Sequence, residues 1–261
     1  MRGQMRKIGR GLAIMALAAL AACGGGSAKV SGIPHRFSDL DPYDWRGITP
    51  AHHPVHGVDV SRWQGGIDWP RVARSGVAFA FIKATEGGDV ADPAFRANWQ
   101  SAAQAGVARG AYHFFYLCRP AAEQARWFIA HVPRVAGALP PVLDIEWNHA
   151  SRTCRTRPDP ETIRAEIVTF QRIVGARFGQ RPLIYTTVDF WRDNDLGRLR
   201  DEEFWLRSVA GHPQNTFPGQ SWSFWQYTGT GVVPGIAGAA DLNAFAGSEA
   251  DWSAWLARRR L

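Results

Sequence analysis

Leu143-Asp144-Ile145-Glu146 is the segment of this chain whose residue types and spacing point most directly to chemistry. Side chains on a strand alternate between faces, so Asp144 and Glu146 project to one side while Leu143 and Ile145 pack on the other. Two neighbouring carboxyl groups in a partly dry pocket do not both ionise easily. The pKa of one rises, and that group can act as an acid near neutral pH. Glycoside hydrolysis uses such a pair, one group to protonate the leaving oxygen and one to stabilise or attack the oxocarbenium-like centre. Taken alone, Asp-x-Glu has a competing structural explanation, in which a barrel Lys or Arg neutralises one acid. Asp59 and Asp241, which close other strand-like segments, shift the balance toward catalysis.

Bringing these acids together requires a scaffold that gathers strand ends. Short apolar runs at 57–60, 77–83, 108–115, 141–147 and 182–186 alternate with helix-like stretches. Asp92-Pro93 opens one helix that closes at Gly106, Pro120 opens the next, and Asp159-Pro160-Glu161 opens a long one ending near Gly179. This βαβα rhythm implies parallel strands joined by right-handed crossovers. After about residue 200 the runs 204–210, 221–227 and 239–245 follow with little room for helices between them. The pattern predicts an α/β fold, an incomplete TIM-like (β/α) barrel of about eight strands. A doubly wound open sheet competes with it, but no Gly-rich phosphate loop follows a strand.

In such a barrel the chemistry sits at the C-terminal strand ends. Read in order, those ends carry Asp59, then Lys83 and Glu86, Tyr112 and His113, Asp144 and Glu146, Tyr185, and Asp241. Trp63, Trp147, Trp191 and Trp225 lie at or just beyond ends as well, with Tyr227 and Gln226 close by. Flat rings there can stack on sugar faces, and phenols and amides can hydrogen-bond to them, although any single ring can equally be packing. Trp69, Trp99 and Trp127 fall on helices and read as core. Lys83 and Glu86 are either an ion pair at the mouth or, for Glu86, a substrate contact.

The N-terminus reads differently. Arg2, Arg6, Lys7 and Arg10 precede eleven uninterrupted apolar residues from Leu12 to Ala22, too short for a stable span but suited to a secretory signal. Leu20-Ala21-Ala22-Cys23 resembles the lipobox of bacterial lipoproteins, which implies cleavage before Cys23 and its acylation. Residues 1–22 are thus expected to be a signal peptide, 23–54 a flexible tether opening Gly24-Gly25-Gly26-Ser27, and 55–258 one catalytic domain. The protein would be exported and membrane-anchored, facing the periplasm or cell-wall space. Removing the four basic residues of the signal lowers the net charge from +7 to +3, which argues against nucleic-acid binding. Cys118 and Cys154 would then reside in an oxidising compartment, where a disulfide is expected. Pro54 breaks any helix that would align His52, His53 and His56 as ligands, so neither a metal nor another cofactor is expected.

Several segments resemble glycoside hydrolase family 25 lysozymes. His56-Gly57-Val58-Asp59-Val60-Ser61 with Gln64-Gly65 is similar to the family's opening. Phe81-Ile82-Lys83-Ala84-Thr85-Glu86-Gly87, Ala111-Tyr112-His113-Phe114 and Pro141-Val142-Leu143-Asp144-Ile145-Glu146 are similar to its next three strands, and Trp225-Gln226-Tyr227-Thr228 and Asp241-Leu242-Asn243-Ala244-Phe245 to its last two. The resemblance runs from about 56 to 246. It implies about five β/α units plus three further strands, and cleavage of the β-1,4 bond between N-acetylmuramic acid and N-acetylglucosamine in peptidoglycan glycan strands. Carried over by position, Glu146 is the general acid and Asp144 its partner, orienting the substrate N-acetyl group or activating water. Asp59 and Asp241 complete the acidic pocket. Tyr112, Tyr185, Trp225, Gln226, Glu86, Trp63 and Trp147 are the expected sugar contacts of a monomeric enzyme. Ala240, where the family often has Val, and the two extra cysteines depart from the pattern.

Two other readings compete. A catalytically silent peptidoglycan-binding lipoprotein would keep the groove aromatics without needing the acids. A cysteine amidase would use Cys118 with His113, which a Cys118–Cys154 disulfide excludes. Lipidation has a direct test: a fatty-acid analogue should label the wild type and not Cys23→Ser, and equal labelling of both would show the lipobox assignment to be wrong.

Overall fold

The computed structural model describes residues 32–261. Its strands and helices follow in the order β1 (Ser38–Asp39), β2 (His56–Val60), α1 (Trp69–Arg74), β3 (Phe79–Glu86), β4 (Val90–Ala91), α2 (Phe95–Gln104), β5 (Ala108–Phe114), α3 (Ala121–His131), β6 (Val142–Asp144), α4 (Pro160–Phe178), β7 (Leu183–Thr187), α5 (Val188–Asp193), β8 (Phe204–Arg207), α6 (Pro213–Thr216), β9 (Phe224–Val232), β10 (Ala240–Phe245) and α7 (Glu249–Arg259). Several boundaries follow local chemistry. The Asp159 side chain caps α4 by accepting from Thr162 N, Pro160 occupies the first turn, and Gly179 ends the helix in the left-handed region at φ 74°.

β2, β3, β5, β6, β7, β8 and β9 pair in parallel, one after the next. β10 then runs antiparallel to both β9 and β2 and closes the barrel. Eight strands therefore form a ring, with β1 and β4 as short additions on β9 and β3. A closed ring leaves no exposed sheet edge, and an open doubly wound sheet is ruled out. Five strands carry a following helix of at least six residues before the rhythm weakens after β7, as the sequence indicates.

Alternation sorts the side chains into two apolar layers. Val58, Ala80, Ile82, Ala111, Leu143 and Ile145 face the helices. Phe79, Phe81, Leu183, Trp205 and Phe224 fill the interior, where Phe81 of β3 stacks on Trp205 of β8 with centroids 4.6 Å apart. Gly57 is where this filling demands glycine, because a Cβ there would lie 2.5 Å from the Phe79 ring. α7 closes the bottom: Trp252 packs on Phe79 and Phe245, Trp255 on Phe224, and Glu203 accepts hydrogen bonds from Trp255 Nε1 and Arg259 Nε. The floor is apolar and sealed, so polar groups inside the barrel collect at the opposite end.

Two expectations are revised. The described part of the expected tether, residues 32–54, lies against the barrel: Ser38 and Asp39 pair with β9, and Trp45 packs edge-on against Trp225 at 5.1 Å. Phe37 and Trp45 give this segment apolar surface to bury, which its aperiodic sequence hides. The strand expected over 141–147 stops at Asp144, although Ile145 N still donates to the Tyr185 carbonyl and keeps the following residues extended. The Leu20–Cys23 lipobox lies outside the described residues.

Cys118 and Cys154 are joined by a disulfide, their Cα atoms 5.6 Å apart across 36 positions. Constraining the unfolded chain over such a loop is worth about 3–4 kcal/mol in the chain-entropy account. Paired Cys118→Ser and Cys154→Ser substitution should lower the melting temperature by roughly 5–15 °C for a domain of this size. An unchanged melt would show that the bridge leaves stability unaffected.

Candidate active site

The mouth of the barrel is built around Asp59. It is the last residue but one of β2, the first barrel strand, and faces inward, so its cross-strand partner on β10, Asp241, shares that face. Asp59 Oδ2 accepts two amide hydrogen bonds, from Gln226 Nε2 at 2.9 Å and Asn243 Nδ2 at 2.8 Å. Each amide is itself held. Tyr185 OH donates to Gln226 Oε1 at 2.9 Å, and Trp205 Nε1 donates to Asn243 Oδ1 at 2.7 Å. Five strands thus fix one carboxylate. Asp144 closes β6 with its backbone between Phe114 and Tyr185, and its Oδ1 is buried without a hydrogen-bond partner.

All four acids hold their protons more tightly than usual. Burial pushes the Asp59 carboxyl well up, and repulsion from Asp241 adds to it against the two amide donors. Burial likewise raises Asp144, with Glu146 as the next contributor and Lys83 opposing. Glu146 is pushed up to about 6 by burial, with Arg207 pulling down and Asp189 pushing up. Asp241 also rises to about 6 through burial, opposed by Arg207. Tyr112 and Tyr185, both packed edge-on against the Trp205 ring, are driven up by burial and then by the acids around them.

A groove of about 530 Å³ opens over this cluster, with Glu146, Trp63, Glu86, Trp147, Asp189 and Arg207 in its walls. Trp63 is 75 % exposed, with the Arg62 guanidinium over one face of its ring at 4.6 Å, so the other face is the one open to a ligand. Trp147 is held by Nε1 donating to Asp193 at 2.9 Å and by packing on Phe190. Glu86 is both ion-paired and on the groove wall: it meets Lys83 Nζ at 2.5 Å and accepts from Tyr116 OH at 2.7 Å, contacts that together keep its carboxyl below the usual range despite burial.

Other expected contacts sit elsewhere. Trp225 faces outward, fully buried, with Nε1 donating to the Ser208 carbonyl and its ring among His212, Trp222 and Tyr227. Because Gln226 points inward, its neighbours must point out, and Trp225 is a packing residue. Tyr227 shares that outer face and binds His56 Nδ1 through its hydroxyl. Trp191 packs on Phe217 and donates to Gln220. Gln226 and Tyr185 are buried and spend their polar atoms positioning Asp59, beneath the open groove. His113 faces the helices between Thr85 and Gln124, and Cys118 is in its disulfide, so the cysteine amidase reading is excluded.

Arg207, Asp189 and Asn243 were missed as functional residues. Arg207 follows inward-facing Trp205 by two positions and therefore shares its face. Asp189 lies in the first turn of α5, directly after a strand end, where barrel loops line the site.

A model described as glycosyl hydrolases family 25 matches residues 58–236. The chain belongs to glycosyl hydrolase family 25. This family 25 hydrolase is 39 % identical over 221 residues to lysozyme M1 of Streptomyces globisporus, covering 79 % of this chain and 73 % of that one. It is 38 % identical over 213 residues to the uncharacterised protein YegX of Escherichia coli O157:H7, covering 79 % and 75 %. The crystal structure of the Streptomyces coelicolor lysozyme superposes with a TM-score of 0.67 at 38 % identity, over 76 % of this chain and 94 % of that chain. The family 25 hydrolase is accordingly a glycoside hydrolase of the muramidase type.

Raised carboxyl groups make the fold sensitive to pH. Glu146 changes from 4.5 to about 6 on folding, so the folded chain binds this proton more tightly, and the associated stability is present below 4.5 and lost as pH rises through about 6. His56 and His113, pushed down to about 4 by burial, act oppositely: their stability is lost as pH falls from 6.5 toward 4. Glu146→Gln removes this contribution together with the repulsion that Glu146 exerts on Asp144. It should melt above the wild type at neutral pH, with the gap closing as pH falls through about 6 to 4.5. A gap independent of pH would contradict the raised pKa.

Proposed function

We propose that this family 25 hydrolase is a lysozyme that cuts the β-1,4 bond between N-acetylmuramic acid and N-acetylglucosamine in peptidoglycan, with Glu146 as general acid. The supporting observation is a carboxyl group pushed up to about 6, on the wall of an open groove, beside three further acids. Protonated Glu146 delivers its proton to the glycosidic oxygen as the bond breaks, and positive charge develops on the anomeric carbon. Asp144, the second inward-facing carboxyl of the same segment, is assigned to that centre: it orients the substrate N-acetyl group or takes the proton of the attacking water. Asp59 and Asp241 supply negative field, and Arg207 limits how far their neighbours' pKa values climb. Trp63 offers an aromatic surface along the strand's path, whereas the Trp147 ring is buried against Phe190 and covered by Arg157.

The protein is read as an exported, monomeric lipoprotein tethered through Cys23, a proposal that rests on the lipobox and the basic, apolar leader before it.

Digestion of purified peptidoglycan, followed by mass spectrometry of the new reducing ends, tests the bond. Muramic acid ends support the proposal, and glucosamine ends would make the enzyme a glucosaminidase. Glu146→Gln should lose about a hundred- to ten-thousand-fold in turnover while still melting cooperatively. Asp144→Asn should be severely impaired, and Asp59→Asn and Asp241→Asn damaged less. The wild-type rate should fall as pH rises through about 6, when Glu146 loses its proton. A well-folded Glu146→Gln protein with near wild-type turnover would remove Glu146 from the role, and a wild type inert on peptidoglycan would favour the silent binder.

A further inference from the structure

Beside the glycan groove lies a second cavity of about 340 Å³, with Arg155, Thr156 and Arg157 in its wall. Trp147, Asn148 and His149 line this cavity and the groove alike, so the two are adjacent. Its character is cationic. The Arg157 guanidinium lies over the Trp147 ring at 4.4 Å, which fixes the plane of the charge and leaves its N–H edges for other partners. Arg155 is steered by its Nε donating to the Ser151 carbonyl at 3.0 Å. Among the described residues, neither guanidinium is within ion-pair distance of a carboxylate.

The loop that carries these arginines is anchored at several points. Asn148 accepts from Leu117 N at 3.0 Å and donates to the Phe115 carbonyl at 3.0 Å, and Cys154, next to Arg155, is bonded to Cys118. His149 reaches Asp189 across the groove at 3.5 Å. A pinned loop holding two unpaired guanidinium groups beside a sugar groove is a preorganised site for an anion.

We propose that Arg155 and Arg157, over Trp147, form a side subsite for the carboxylates of the peptide stem carried by muramic acid. This rests on the lysozyme reading above. On that reading every second sugar in the groove carries an anionic peptide through its lactyl ether, and the stem must leave the groove sideways. The cavity lies beside it, across the shared residues Trp147, Asn148 and His149. The subsite makes the enzyme prefer stem-bearing strands to bare glycan, and the preference is electrostatic.

The test compares intact peptidoglycan with glycan strands stripped of their stems by an amidase, using the full chain with its disulfide formed. Arg155→Gln and Arg157→Gln, made separately, should each lower the ratio of kcat/KM on intact strands to that on stripped strands by about tenfold, chiefly through KM, the scale of one charge-assisted hydrogen bond. Arg155→Lys should recover part of the ratio by restoring the charge. In the wild type, raising ionic strength should shrink the same ratio without any substitution. If the wild type cuts both substrates but its ratio responds to neither salt nor either Gln substitution, the subsite is wrong and the lysozyme reading stands. If it cuts neither substrate, that reading falls and takes the subsite with it.

Discussion

A buried carboxylate is costly unless its surroundings supply hydrogen bonds, and Asp59 is the point on which this molecule's architecture turns. Its two amide donors come from β9 and β10, and those amides are oriented by Tyr185 on β7 and Trp205 on β8. The network holds when the ring of strands is closed, because Asn243 and Asp241 reach Asp59 through the antiparallel pairing of β10 with β2. Aromatic filling below it is equally required. Trp205 stacks on Phe81 with one face of its indole and gives its N–H to Asn243, so one side chain is both core and the support of a polar network. Packing and electrostatics are not separable at this end of the barrel.

The acids above Asp59 gain their properties from the same enclosure. Burial is the first cause of the raised pKa at Asp59, Asp144, Glu146 and Asp241, and repulsion from neighbouring acids adds to it at Asp59, Asp144 and Glu146. For Glu146 the charges that matter most after burial are Arg207 and Asp189, rather than the acids nearest in sequence. Arg207, a cation in the wall of an acidic groove, pulls the Asp59, Glu146 and Asp241 carboxyl groups back toward their ordinary range. The site is therefore a balance between a dry barrel mouth that holds protons and an arginine that lets them go.

Much of this was legible in the chain. Asp159-Pro160 and Gly179 marked α4 to within a residue, because capping and left-handed backbone depend on local chemistry alone. The carboxylates were legible because strand alternation and the rule about barrel ends together assign a face and an end. Trp225 was misplaced when its type was weighed before its parity: once Gln226 points inward, the indole beside it points out. Residues 32–54 looked like a tether because their aromatics have no period, and what orders Phe37 and Trp45 is a surface formed by residues far away in sequence. Arg207 needed the register of β8 against β9, which no local pattern carries.

β10, the strand that closes the ring, comes near the end of the chain, and the Asn243 to Asp59 bond spans 184 positions. The pocket is thus a late product of synthesis and folding. Loops of this length must close before their contacts repay the entropy, so assembly of the site trails the formation of the earlier β/α units. A chain emerging from its first residue onward has strands, helices and three of the four acids well before it has Asp241, Asn243 or the sealing tryptophans of α7. A chain that lacks β10 therefore lacks both Asp241 and the Asn243 donor that holds Asp59.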